Sequence, residues 1–356
     1  MLSNFIKLIR ISLGECDDSI PRLDTAHWRD LYSLSQQHAV TGLIYEAAIK
    51  LPIDIRPPRE ILLKWGVEVE LIKARNTNLN AVTIKVKEFL KHDNLDGCIL
   101  KGQCIAQLYP NPSLRVPGDV DVWVKGSRKD IISFVLSHSK CSHVVYHHID
   151  GLYIDDIVVE IHFTPSYMSN PFANRKLQKW INETSSRQFA HLENIGGELI
   201  CTPTLAFNRV FILHHIYRHF LYEGVGLRQI LDFYYVLKHG FSQKEKEETI
   251  RVYRLLNILN FAGAVMYVLR EVCGLDDKHF ITSPNEVYGK VLLNEILKTG
   301  NFGQPIIPDA KKENSIQRGW RILKRNWHFI KYEPHEVIWL PYFKIKNRLF
   351  FVKHYN

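Results

Sequence analysis

The sequence predicts an α+β protein, a small strand-containing domain set between two helical regions. Three observations carry this. From Ile61 to Phe89 the apolar residues Trp65, Val69, Ile72, Leu79, Val82 and Val86 recur at helical spacing. Between residues 91 and 200, short β-branched runs alternate with glycine turns and helical stretches. After Thr204, helical periodicity returns through Leu205, Val210, Leu213 and Ile216. The expected domains are residues 1–90, 91–200 and 201–356.

In the first region, Trp28, Leu31 and Leu34, then Leu43, Tyr45 and Ala47, mark short helices, and Pro57-Pro58 opens a long one reaching about Leu90. The central domain starts with a buried strand at Cys98-Ile99-Leu100, a turn at Lys101-Gly102 and a short helix from Gln103 to Tyr109. A strand over 119–124 follows, then a helix opened by Ser127 and Asp130 in a capping-box pattern and running to about Ser139. Strands are expected at 144–146, 152–154 and 157–163. Helices are expected at 227–237, 245–259 and 262–272.

At 356 residues and 46% hydrophobic content the chain buries a real core, which excludes whole-chain disorder. No apolar run approaches the roughly 18 residues of a membrane span, and the apolar start is broken by Lys7 and Arg10. The six cysteines are scattered with no C-x-x-C pair, so reduced thiols, a cytoplasmic setting and no structural zinc site are expected. The net charge of +9 is concentrated at residues 318–356, which hold nine Lys/Arg and two Glu. Interleaved with Trp320, Trp327, Trp339, Tyr342 and Phe343, this basic tail suits nucleic acid, an acidic partner or an anionic membrane surface; the bland alternative is a solvated basic face over core aromatics.

The chemistry gathers in Gly118-Asp119-Val120-Asp121-Val122-Trp123-Val124. Strand alternation puts Asp119, Asp121 and Trp123 on one face and the three valines on the other. Charge in a buried strand is costly unless a cation or hydrogen bonds compensate it, so a metal is the first suspect. Within Ile157-Val158-Val159-Glu160-Ile161-His162 the same alternation leaves Glu160 and His162 on the face opposite Val159 and Ile161. Glu160 is therefore oriented as a third ligand. Upstream, Lys101 and Gly102 form a turn that can meet phosphate oxygens.

This order, Leu100-Lys101-Gly102, then Asp119-Val120-Asp121, then Glu160-Ile161-His162, resembles the nucleotidyltransferase superfamily of DNA polymerase β. More closely it is similar to the bacterial uncharacterised nucleotidyltransferase family, with Tyr109-Pro110, Arg115, Leu213-His214-His215 and Gly226-Leu227-Arg228 through Asp232 also in place, over roughly residues 28–340. The resemblance implies a small mixed-sheet nucleotidyltransferase domain in which Asp119, Asp121 and Glu160 hold two Mg2+ or Mn2+ ions. It implies that Lys101, Gly102, Gln103 and Arg115 contact an NTP donor. An acceptor hydroxyl would attack the α-phosphate and pyrophosphate would leave. Gln103 stands where the wider superfamily usually has Ser, which keeps a catalytically inactive nucleotide- or anion-binding module as one alternative. A D-x-D glycosyltransferase using a nucleotide sugar is the other.

Around this core, His162 is a candidate for substrate or metal support, with hydrogen-bonded structure as the bland alternative. His215 and His219 lie four apart on a helix but lack the Glu of an H-E-x-x-H zinc motif. With His214 and Arg218 they form either a phosphate-facing stripe or an ordinary helix surface. Arg228 and Asp232 either pair one helical turn apart or offer Arg228 to the cleft.

Overall fold

The helical periodicity of the first 92 residues becomes four helices, α1 (Leu2–Leu13), α2 (Thr25–Gln37), α3 (Thr41–Lys50) and α4 (Arg59–His92). The last spans 34 residues, starts directly after Pro58 and buries the expected stripe from Ile61 through Trp65, Val69 and Leu79 to Leu90. A computed structural model describes residues 1–15, 20–139, 143–301 and 327–355, with side chains to 347.

The central segment holds β1 (Gly97–Leu100), α5 (Gly102–Ala106), β2 (Val120–Val124), α6 (Arg128–His138), β3 (His143–Val144), β4 (His148–Ile154) and β5 (Ile157–His162). Its strands form one mixed sheet of order β1-β2-β5-β4-β3; β2 and β5 run parallel, and the other neighbours are antiparallel. The alternation expected for β2 is seen. Val120, Val122 and Val124 pack with Leu79, Val82 and Val86 of α4 and Ile131 and Val135 of α6. Trp123 enters the larger core on the opposite face, against Phe189 and Phe207. Val159 and Ile161 of β5 join the valine side, so Glu160 and His162 face away from it. The protein is thus a mixed α+β fold whose sheet packs one face against α4 and α6 and sends Trp123 from the other into the main core.

Three elements escape the periodicity reading. Helix α7 (Pro171–Phe189) is capped by Asn170, whose side chain accepts from the backbone N–H of Phe172 and Ala173. Its apolar stripe of Ala173, Leu177 and Ile181 is hidden in a largely polar sequence. The hairpin of β6 (Leu192–Ile195) and β7 (Glu198–Cys201) turns at Gly196-Gly197, both at positive φ as a two-residue hairpin loop requires.

The C-terminal helices are α8 (Leu205–Tyr222), α9 (Leu227–Lys238), α10 (Gln243–Leu255), α11 (Leu259–Val268) and α12 (Glu286–Thr299), then α13 (Pro334–Val337) and α14 (Leu340–Tyr355). Helix α10 stops short of the expected Leu259 because Asn257 adopts φ 59°. The expected helix over 262–272 begins earlier, at Leu259, and its last turn, Leu269–Cys273, widens to π geometry. Among the described residues no helix is long and apolar enough to cross a membrane. Cys98, Cys104, Cys201 and Cys273 are free thiols; Cys16 and Cys141 lie outside the described residues.

The described part of the basic tail is docked rather than free. Phe329 is buried in the main core. Both glutamates of the tail anchor it: Glu333 accepts from the hydroxyls of Tyr217 and Tyr288 at 2.8 Å each, and Glu336 accepts from the backbone N–H of Ser169 and, at 3.1 Å, Asn170. Arg318, Trp320, Arg321, Lys324 and Arg325, with the side chains of Arg348 and Lys353, lie outside the described residues.

Burial pushes the Glu333 carboxyl up from 4.5 to about 7, against the two tyrosine hydrogen bonds that favour its charged form. A carboxyl raised on folding stabilises fully below its unfolded value and loses that contribution as pH climbs through its folded value. The Glu333→Gln variant is therefore expected to gain stability relative to the native chain as pH rises from 4.5 to 7. The gain is roughly 3 kcal/mol, read from urea unfolding curves at several pH values. A pH-independent difference would contradict the assignment.

Candidate active site

Everything that positions the site follows from the ends of β1, β2 and β5. The chain leaves β1 through Lys101 and Gly102, at φ 46° and 42°, a conformation L side chains rarely adopt. From this turn the Lys101 ammonium reaches 2.7 Å from Asp121 Oδ1. In the parallel β2–β5 ladder Asp121 pairs with Glu160, and Trp123 with His162, so the carboxylates of neighbouring strands share a face. His162 Nε2 lies 2.9 Å from Asp121 Oδ1 and 3.4 Å from Glu160 Oε2.

The electrostatics follow from burial and pairing. Asp121 is 2% exposed, which by itself would raise its pKa, but the Lys101 ammonium and then His162 outweigh burial and hold the carboxyl below its usual value. Burial likewise opposes the charge on Lys101 and on His162. Asp121, Asp119 and Glu160 together raise Lys101, and hydrogen bonds to Asp121 and Glu160 raise His162. A buried carboxylate is thus held charged by the Lys101 ammonium and a hydrogen bond from His162.

These residues line a cleft of about 230 Å3 together with Asp119, Gly118, His147, His148, Arg218 and Arg228. Asp119 precedes β2 and is exposed at the cleft. Among the described residues, Asp121, Glu160 and His162 form one of three sets whose ligand atoms lie within 4.8 Å of one another; Asp119 is in none of them, so His162 stands in the close acidic cluster where Asp119 was expected. The reason is position: Asp121 and Glu160 are fixed in register inside the sheet, whereas Asp119 sits on the loop that enters it.

Other expected contacts go elsewhere. Gln103 is buried and turns its side chain away from the cleft, donating to the side chain of Asn80 and, at 3.4 Å, to the Asn76 carbonyl on α4. Arg115 lines the cleft but is clamped by Asp232 in two bonds of 2.7 and 2.8 Å, and Tyr109 donates to the same carboxylate at 2.7 Å. Asp232 therefore pairs with Arg115 rather than with its helical neighbour Arg228. Arg228 reaches the cleft, as one reading of the sequence held, and donates to the Val116 carbonyl at 3.1 Å. Its pKa falls to about 10 through burial and the nearby Arg115.

The stripe on α8 divides. His215, Arg218 and His219 line the cleft, whereas His214 is buried against Ser166 at 2.8 Å. Burial, then His219 and Lys101, hold the His215 imidazole well below its usual value, so the charge of this face rests on Arg218. Two residues of the cleft wall carried no expectation. His147 and His148 sit where the chain enters β4, and an adjacent histidine pair beside a strand was the available signal. Asn76, a buried amide on α4, was also missed; it donates to the carbonyls of Ser113 and Arg115 at 2.9 Å and holds the loop leading to Asp119.

The sheet, the acidic pair on its central parallel strands and the basic turn facing it place the chain in the nucleotidyltransferase class. It belongs to the uncharacterised nucleotidyltransferase family, whose model matches residues 24–274, a span ending earlier than the motifs suggested. Among solved structures it is similar to an antigenic nucleotidyltransferase-like protein from Paracoccidioides brasiliensis, at 14% identity and a TM-score of 0.34, over 55% of this chain and 93% of that one. No curated protein matches the chain.

The donor set fits a divalent cation. Carboxylate oxygens from Asp121 and Glu160, with Asp119 at the rim, are the hard ligands Mg2+ and Mn2+ take. The buried Asp121 already needs a positive partner, which Lys101 supplies.

Proposed function

We propose that the protein transfers an NMP from an NTP to a hydroxyl of an acceptor, with a divalent cation held by Asp121, Glu160 and Asp119. The observation that carries this reading is the Asp121–Glu160 pair, adjacent across parallel strands, facing the Lys101 turn in one cleft. When bound, the cation would offset charge developing on the phosphoryl oxygens.

The protein's own groups account for the rest. Lys101, one strand away from the acidic pair, offers its ammonium to the triphosphate, and Gly102 lets the donor approach the backbone closely. Arg218 and Arg228 add positive charge along the same cleft. One carboxylate takes the proton of the acceptor hydroxyl as its oxygen attacks. The new bond joins that oxygen to the α-phosphorus, the bond from the α-phosphorus to the bridging oxygen breaks, and pyrophosphate departs.

The test is pyrophosphate release from each NTP in turn, with Mg2+ or Mn2+ and cell extract as the source of acceptor. The native chain is expected to release pyrophosphate, and Asp119→Asn and Glu160→Gln each to abolish it while keeping the native melting curve. Both side chains reach the cleft, and neither makes the short Lys101 bond that supports Asp121. Undiminished release from both variants would sink the proposal. Turnover of a nucleotide sugar with no pyrophosphate would replace it with the glycosyltransferase reading.

A further inference from the structure

Beside the carboxylate pair lies a second constellation, His147, His148 and His162, one ring nitrogen of each lying within 4.8 Å of the other two. His147 Nε2 and His148 Nδ1 are 3.2 Å apart. Two imidazole nitrogens on one tetrahedral Zn2+, at about 2.0–2.1 Å each, are separated by about 3.3 Å. The next spacing, His148 Nδ1 to Glu160 Oε2 at 3.7 Å, is close to the same value.

One of the three rings, His162, carries a carboxylate hydrogen bond on one nitrogen as metal-bound histidines do, and a second has a carboxylate near its far nitrogen. Asp150 Oδ1 lies 3.0 Å from His148 Nε2, which leaves Nδ1 turned to His147. Asp121 holds His162 Nε2, and the His162 Nδ1 is buried with no hydrogen-bond partner among the described residues. Buried polar atoms without partners are uncommon, and His162, which carries one, touches both of the other rings.

We propose that His147, His148 and His162, with Glu160 beside them, form a site for Zn2+, distinct in donor chemistry from the carboxylate site that suits Mg2+ or Mn2+. Imidazole nitrogens favour a borderline ion. The opposing charge is Arg218, which donates to His147 Nε2 at 3.3 Å. Its guanidinium also stacks 4.0 Å from the Tyr167 ring centre, so it keeps a seat when the imidazole is taken.

The experiment uses the full chain stripped by chelator and titrated with Co2+ in the absence of nucleotide. One equivalent is expected to bring up the intense visible bands of four-coordinate Co2+, displaced by Zn2+. His147→Ala and His148→Ala are each expected to weaken Co2+ binding at least roughly tenfold. His148→Cys guards against misfolding: it should keep the bands and add a thiolate-to-cobalt charge-transfer band in the near ultraviolet. No saturable one-equivalent binding, bands that survive both alanine variants, or no charge-transfer band in the cysteine variant would overturn the site. Because no nucleotide is present, that failure is separable from failure of pyrophosphate release.

Discussion

Replacing Asp121 with Asn is expected to cut pyrophosphate release on the order of 10³-fold, the scale for losing one preorganised charge-stabilising group in a closed site. The variant also leaves the Lys101 ammonium without its 2.7 Å partner. Breaking a buried pair by removing one member costs about 3–5 kcal/mol. Asp119 and Glu160 still attract Lys101, so the lower end applies. Loss of activity through unfolding and loss through chemistry are separated by a second change. The double variant Lys101→Met with Asp121→Asn removes the stranded charge and is expected to recover most of the stability and none of the activity. Recovery of release in the double variant would mean that Asp121 serves only to neutralise Lys101.

The second large effect concerns stability. Arg115, Asp232 and Tyr109 form one buried network joining the loop before β2 to α9, with a two-bond guanidinium–carboxylate clamp at its centre. Desolvation opposes the charge on Arg115, yet Asp232 raises its pKa, and burial followed by the Asp232 charge pushes the Tyr109 hydroxyl well above its usual range. Asp232→Ala leaves a guanidinium buried without its partner and is expected to destabilise the chain by about 3–5 kcal/mol in urea unfolding. Arg115→Lys is expected to recover only part of the clamp, because an ammonium cannot make two parallel bonds to a carboxylate. Native stability in Asp232→Ala, with a raised KM for NTP, would instead return Arg115 to the role of nucleotide contact that its place before β2 first implied.

Both experiments bear on how much of this molecule its sequence discloses. The β2 and β5 patterns were legible because one face of the sheet packs against α4 and α6 while the other turns its carboxylates to the cleft, so alternation of Val with Asp, and of Val and Ile with Glu, could mean only one orientation. That alternation put Glu160 and Asp121 on the same side of their strands. It could not supply the register that sets them opposite each other. Side-chain direction beyond the strands was illegible for a different reason. Gln103 turns to Asn80, 23 positions earlier, and Arg115 to Asp232, 117 positions later, partners chosen by helix packing rather than by local spacing. His147 and His148 were hidden by the irregular entry into β4, whose pairing with β5 shifts between Ile149 and Leu152, with Gly151 at φ 114°. No period-2 pattern survives such a shift. The docking of the tail was illegible for the opposite reason: its charge was plain, but the two buried glutamates that anchor it read as minor offsets to nine basic residues.

Asp121 and Glu160, as proposed, serve nucleotidyl transfer. The measurement that tests it most directly supplies each α-labelled NTP in turn, with Mg2+ or Mn2+ and cell extract, to the native chain and to Glu160→Gln. One nucleotide is expected to label a discrete acceptor, with one pyrophosphate released per label, and the variant to label nothing. Equal labelling by the two proteins, or label from a nucleotide sugar without pyrophosphate, would contradict it.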